Sequence, residues 1–121
     1  MNLFQLGKFT SHAGNELDWK IECDALTDED WECLAKMISE RTQFGHVYGI
    51  PRGGTKLAKA LEKYCDTKNP IRLVVDDVWT TGKSMNEVMQ KGDMGFVVFS
   101  RERILFDSNK YVRALFTMEV L

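Results

Sequence analysis

From residue 27 onward the apolar residues change their spacing repeatedly, and each change marks a new element. Trp31, Leu34, Ala35 and Ile38 recur at helical intervals, which predicts an amphipathic helix over residues 28–41. Thr27 stands where an N-cap belongs, and Asp28, Glu29 and Asp30 suit the positive end of the helix dipole. Residues 46–50, HVYGI, are a short β-leaning run that PRGG interrupts. Leu57, Ala58, Leu61, Tyr64 and Cys65 then share one face of a second helix, from Thr55 to Tyr64, and Asn69 and Pro70 close that region. A continuous apolar run, IRLVV, begins at Ile71, as a strand buried on both faces requires. Met85, Val88 and Met89 form the face of a third helix from Ser84, with Gly92 as its expected stop. Residues 95–100 and 112–118 read as two further strands. Before all of these, Phe4, Leu6, Phe9, Trp19 and Ile21 alternate with polar gaps around Gly7 and Gly14, which fits short strands or a hairpin.

Strands that alternate with helices through residues 46–100 call for a parallel α/β sheet, with a ligand site beyond the carboxyl ends of the strands. The chain's 121 residues suit one domain: an N-terminal segment, 1–26, and an α/β core, 27–121. A formal net charge of −2 argues against nucleic acid as the main partner. Cys23, Cys33 and Cys65 are odd in number and have no CxxC spacing, so reduced cysteines acting as small apolar residues are expected, in a reducing, cytoplasmic setting. Residues 1–20 carry no signal-peptide pattern, and no stretch nears the roughly 18 apolar residues of a membrane span.

Two loops carry candidate chemistry. Pro51, Arg52, Gly53 and Gly54 lie between a strand and a helix. Their glycines allow unusual dihedrals and close approach to a ligand, and Arg52 offers a fixed positive charge. An ordinary tight turn is the competing reading. The second loop begins where Leu73, Val74 and Val75 run into Asp76 and Asp77. Adjacent strand residues point to opposite faces, so the two carboxylates have different tasks, such as accepting sugar hydroxyls or holding a magnesium-bound ligand. Thr80, Thr81, Gly82, Lys83 and Ser84 follow, with the hydroxyls and backbone N–H groups that a phosphate needs. The GKS triplet suggests a nucleotide P-loop, but the first glycine of that motif would fall at position 77, which is Asp77.

The string VVDDVWTTGKS resembles the diphosphate-sugar motif of the type I phosphoribosyltransferases, and GIPRGG, one strand and one helix upstream, resembles their pyrophosphate loop. KFTSHAGNELDWKIECDAL, VVFSRER and ALFTMEVL are similar to segments of the orotate branch, with Ser100 where that branch has an aspartate. The resemblance implies a three-layer, Rossmann-like phosphoribosyltransferase fold with an N-terminal hood, working as a homodimer on 5-phosphoribosyl 1-pyrophosphate (PRPP) or a ribonucleotide 5′-phosphate, a small orotate-like nitrogenous base and Mg2+. It implies that Asp76 and Asp77 hold the ribose hydroxyls with magnesium nearby. Thr80, Thr81, Gly82, Lys83 and Ser84 would bind the 5′-phosphate. Arg52, Gly53 and Gly54 would meet the pyrophosphate, and Arg101 the base. A plain surface arginine is the other reading of Arg101.

The resemblance breaks in one place. Family enzymes carry a further strand and a long closing loop before the VVDD strand, whereas five residues, DTKNP, join Cys65 to Ile71 here. Lys20, Lys56, Lys68 or a partner subunit would have to supply the missing positive charge. Two functions therefore stand side by side, a compact transferase and a non-catalytic module that binds PRPP or a nucleotide; a bare structural domain is a third. Trp31 is expected in the core. Glu87, Lys91 and Asp93 are expected on a solvated helix face, and His12 and His46 have no ligand spacing. Trp79 is expected to cover a ligand or meet a second subunit.

Overall fold

The computed structural model describes residues 1–10, 14–104 and 111–118. His12 and the end of the ALFTMEVL segment lie outside the described residues. Strands β1 (Phe4–Thr10) and β2 (Glu16–Ile21) form an antiparallel hairpin with a register shift between Leu6 and Phe9. Helix α1 (Asp28–Ser39) begins at Thr27, whose side chain accepts from Asp30 N–H while the Asp30 carboxylate accepts from Thr27 N–H. Two orphan donors at the helix start are thereby satisfied. Then come β3 (His46–Gly49), α2 (Thr55–Leu61), β4 (Arg72–Trp79), α3 (Lys83–Val88), β5 (Met94–Ser100) and β6 (Tyr111–Thr117).

The last four strands make one parallel sheet in the order β3-β4-β5-β6. Alternation along β4 and β5 divides the interior into two. Leu73, Val75, Phe96 and Val98 pack with Trp31, Ile38, Leu57 and Leu61 of α1 and α2. Val74 and Val97 face the other way, onto Met85 and Met89. Helices thus cover both faces, the three-layer arrangement expected from apolar runs buried on two sides. No described helix is long and apolar enough to cross a membrane.

Several boundaries differ from the sequence reading. Strand β4 continues through Asp76 and Asp77 to Trp79, because Asp76 and Val78 stay paired with Val97 and Phe99 of β5. Helix α3 stops at Val88, and Gly92 serves instead in the Gln90–Asp93 turn, at φ +93. Between α2 and β4 there is a short helical turn at Glu62–Tyr64 and a turn closed by Asn69 N–H on the Asp66 carbonyl. No strand or long loop occurs there, so β3 is left as a sheet edge.

Asp93 is a correction to the expected solvated helix face. It sits in the turn before β5, with its side chain 9% exposed. One carboxylate oxygen accepts from Arg72 Nη2 at 2.5 Å, Arg72 Nε at 3.1 Å and Gln90 N–H at 2.8 Å. Burial alone pushes this carboxyl up, but the bonds from Arg72 and Gln90 together hold it below the usual carboxylate range. Asp93→Ala is expected to cost about 1–3 kcal/mol at pH 7, since it strands a half-buried guanidinium. A group with a lowered folded pKa stabilises above its unfolded value and loses that contribution as pH falls. The deficit should therefore shrink below about pH 4 in urea denaturation series.

Candidate functional site

The site is built at the carboxyl ends of β3, β4 and β5. Ile50 N–H extends the ladder onto the Val75 carbonyl at 2.9 Å, and Gly54 N–H closes the loop onto the Ile50 carbonyl at 2.8 Å. The peptide between Pro51 and Arg52 is cis. Gly53 and Gly54 have no positive φ, contrary to the unusual dihedrals expected of them. Close approach is what they provide. A Cβ on Gly54 would lie 2.4 Å from the Val75 carbonyl oxygen, and one on Gly53 would lie 2.5 Å from an Asp77 carboxylate oxygen. The PRGG loop is pressed directly onto the acidic end of β4.

Asp76 and Asp77 follow the strand alternation, yet both reach the end of the sheet. Asp76 is 9% exposed, and its Oδ1 accepts from Asp77 N–H at 2.9 Å. Asp77 Oδ1 accepts from Val78 N–H at 2.8 Å. Burial, and then the neighbouring Asp77 charge, push the Asp76 carboxyl up to about 8. Among the described residues neither acid has a salt-bridge partner.

Three concavities meet at this pair. On the Asp76 side is a small cup formed by Thr80, Thr81, Gly82, Lys83 and Ser84. Gly82 takes φ +82, and a Cβ there would strike the Trp79 ring at 2.3 Å. Trp79 therefore packs over the loop's own glycine. On the Asp77 side is a recess of about 250 Å3 lined by Arg52, Thr55, Lys56, Trp31 and Cys23. Trp31 is in the core as expected, but its Nε1 has no partner among the described residues, which leaves a buried donor beside the recess. Burial, helped by the Asp77 charge, pushes the Cys23 thiol up, so it stays protonated and inert.

Between cup and recess lies a cavity of about 520 Å3, bordered by both aspartates, Thr80 and Ser84. The hairpin covers it with Phe9, Thr10, Leu17 and Lys20. Two of the cations that border it stand in ion pairs. Lys20 meets Glu22 at 2.8 Å, and Arg52 meets Asp24 at 3.0 Å. The hydrogen bond from Lys20, against some burial, holds Glu22 below the usual carboxylate range.

Solved structures resemble this architecture closely. Orotate phosphoribosyltransferase from Aeropyrum pernix aligns with a TM-score of 0.71 at 17% identity, over 95% of this chain and 88% of that one. Leishmania donovani UMP synthase aligns with a TM-score of 0.73 at 15% identity, over 96% of this chain and 34% of the synthase. The chain has the fold of the type I phosphoribosyltransferases. A hypothetical Neisseria gonorrhoeae protein with bound ppGpp also matches, with a TM-score of 0.57 at 14% identity, over 78% of this chain and 82% of that one. No family model and no curated protein sequence matches the chain.

On this phosphoribosyltransferase fold, the residues singled out by sequence gather at one end of the sheet. Arg101 joins them from the end of β5. It lines the 520 Å3 cavity, and its guanidinium lies 3.5 Å from the centre of the Trp19 ring. Its partial burial lowers its pKa from the ordinary value. Lys20 and Lys56 stand at the cavity and recess respectively, while Lys68 borders neither. Sequence reasoning missed Trp19 and Asp24, whose partners Arg101 and Arg52 are distant in the chain, and Glu22, which pairs two residues away with Lys20. It also missed Glu87, which lines the cavity from α3. Glu87 stands three residues after Ser84, one helical turn along, and that spacing was the available signal.

Proposed function

We propose that this protein is a compact phosphoribosyltransferase that binds PRPP with magnesium and moves the phosphoribosyl group to a nitrogenous base. One observation carries the reading: an acidic pair, Asp76 buried and Asp77 half-buried, stands between a hydroxyl- and amide-lined cup and a recess bearing Arg52 and Lys56. A ribose with a phosphate at one end and a diphosphate at the other has that layout. Its 2′- and 3′-hydroxyls suit Asp76 and Asp77, its 5′-phosphate suits Thr80, Thr81, Gly82, Lys83 and Ser84, and its diphosphate suits Arg52 with Gly53 and Gly54. The Trp31 N–H adds an unclaimed donor at the diphosphate end.

The acidic pair also fits magnesium. Among the described residues no three His, Cys, Asp or Glu side chains cluster as metal ligands. Mg2+ bound by one or two carboxylates takes its other oxygens from water and phosphates. Asp76 and Asp77 would hold the ion, which when bound offsets the diphosphate's negative charge. In the reaction the bond from the anomeric carbon to diphosphate oxygen breaks and its electron pair leaves with the diphosphate. A base nitrogen lone pair forms the new bond, and the nitrogen's proton goes to solvent. The Asp77 carboxylate favours the positive charge that develops on the ribose, and Arg52 favours the departing anion.

A second reading is favoured by the short link from α2 to β4. Closing loops exclude water and complete many active sites, and none stands in that link. A binding module for PRPP or a nucleotide needs no such lid, and the Neisseria gonorrhoeae protein of similar fold holds ppGpp. Pyrophosphate release separates the two. With PRPP, magnesium and a panel of bases including orotate, the account expects base-dependent pyrophosphate, falling by about a hundredfold or more in Asp77→Asn. No release with any base, from protein that still binds PRPP, would leave the module as the correct reading.

A further inference from the structure

The charges around the 520 Å3 cavity do not suit an anionic base. Lys20 is already paired with Glu22, and Arg52, paired with Asp24 across the surface, stands at the diphosphate end in the reading above. What remains is Arg101 alone against Asp76, Asp77 and Glu87. Magnesium and the diphosphate belong at the aspartates in the reading above, on which this inference rests. That leaves Arg101 and Glu87 for the base. Arg101 enters from the end of β5 and is fixed against the Trp19 ring. Glu87 enters from α3, one turn beyond Ser84. The two do not pair with each other, and Glu87 has no other partner among the described residues.

A guanidinium only donates hydrogen bonds, and a carboxylate only accepts them. A cavity bordered by one of each matches a ring that offers a carbonyl to the first and an N–H to the second. A ring carboxylate can satisfy Arg101, but its charge then shares the cavity with Glu87. We infer that Glu87 is a specificity-determining residue, and that it selects an uncharged base with an N–H or amino donor over a carboxylated one. The orotate-like acceptor expected from sequence resemblance is thereby disfavoured in this chain.

Three nucleotides test this, because they share a pyrimidine ring and differ by single groups. Orotidine, uridine and cytidine 5′-monophosphates, with ribose 5-phosphate as the base-free probe, are titrated calorimetrically into the intact protein. Uridine and cytidine monophosphates should bind about tenfold or more tightly than orotidine monophosphate, the size of one charge-assisted contact. Glu87→Gln should narrow that ratio, and Glu87→Lys should reverse it. Glu87 is exposed, and a gain of orotidine monophosphate binding cannot arise from a damaged fold. Equal or tighter binding of orotidine monophosphate by the unaltered protein, or a ratio unmoved by Glu87→Lys, overturns the selection while leaving the ribose-phosphate site standing. If ribose 5-phosphate and all three nucleotides fail to bind, the ribose-phosphate reading itself falls, and the selection with it.

Discussion

Replacing Asp76 with Asn is expected to stabilise the ligand-free protein by about 2–4 kcal/mol at pH 8 while weakening its hold on PRPP. Asp76 is 9% exposed, lies beside a second carboxylate and has no cation partner among the described residues. Its carboxyl is raised to about 8, first by burial and then by Asp77. A folded pKa above the unfolded value near 4 means that the folded state retains a proton the unfolded chain releases. The associated stability is complete below about pH 4 and is lost as pH rises toward 8. Asparagine is neutral throughout and keeps an oxygen to accept from Asp77 N–H. Denaturation of the two proteins from pH 4 to pH 8 should therefore diverge, the unaltered protein falling away. Parallel curves would show that Asp76 is not held in an ion-hostile position. The acid is costly when empty, which is how a site that awaits a cation and ribose hydroxyls should behave.

Gly54→Ala should be about as damaging as Asp76→Asn is stabilising, costing about 3 kcal/mol. The added methyl would sit 2.4 Å from the Val75 carbonyl oxygen, 2.8 Å from Ile50 N and 3.1 Å from Asp76 Cα. All three are backbone atoms of the sheet end, so no side-chain rotation relieves the overlap. The loop must lift off β4, breaking the Ile50 N–H bond to Val75 and shifting Gly53 away from Asp77. Gly53→Ala meets only the Asp77 carboxylate, so it should retain more stability. Comparing melting temperatures of the two variants checks this order. Equal losses would mean that the loop does not lie against β4 as described.

The architecture was legible because it rests on short-range patterns. Leu73, Val74 and Val75 announce a strand covered on both faces, and Thr27 with Asp30 announces the start of α1. The acidic pair was legible for the same reason, since two charges at the end of an apolar run need a purpose. What stayed hidden depends on long-range contact. Nothing local links Arg52 with Asp24, or Arg101 with Trp19. Glu87 and Asp93 look alike in sequence, two acids near one helix, yet one borders the cavity and the other anchors Arg72. The end of β4 was placed too early because polar residues normally close a buried strand. Here Asp76 and Val78 keep their pairing with β5, and the ladder runs on through the carboxylates.

The central claim, that Asp76 and Asp77 form a ribose-phosphate site needing magnesium, is tested most directly by a melting curve. At about a hundredfold excess over its dissociation constant, PRPP with magnesium should raise the melting temperature by about 10 °C, the equivalent of roughly 2.7 kcal/mol in a domain this size. PRPP alone should give little shift, and Asp77→Asn should give none in either case. A shift of the same size without magnesium, or one that persists in Asp77→Asn, would contradict the account.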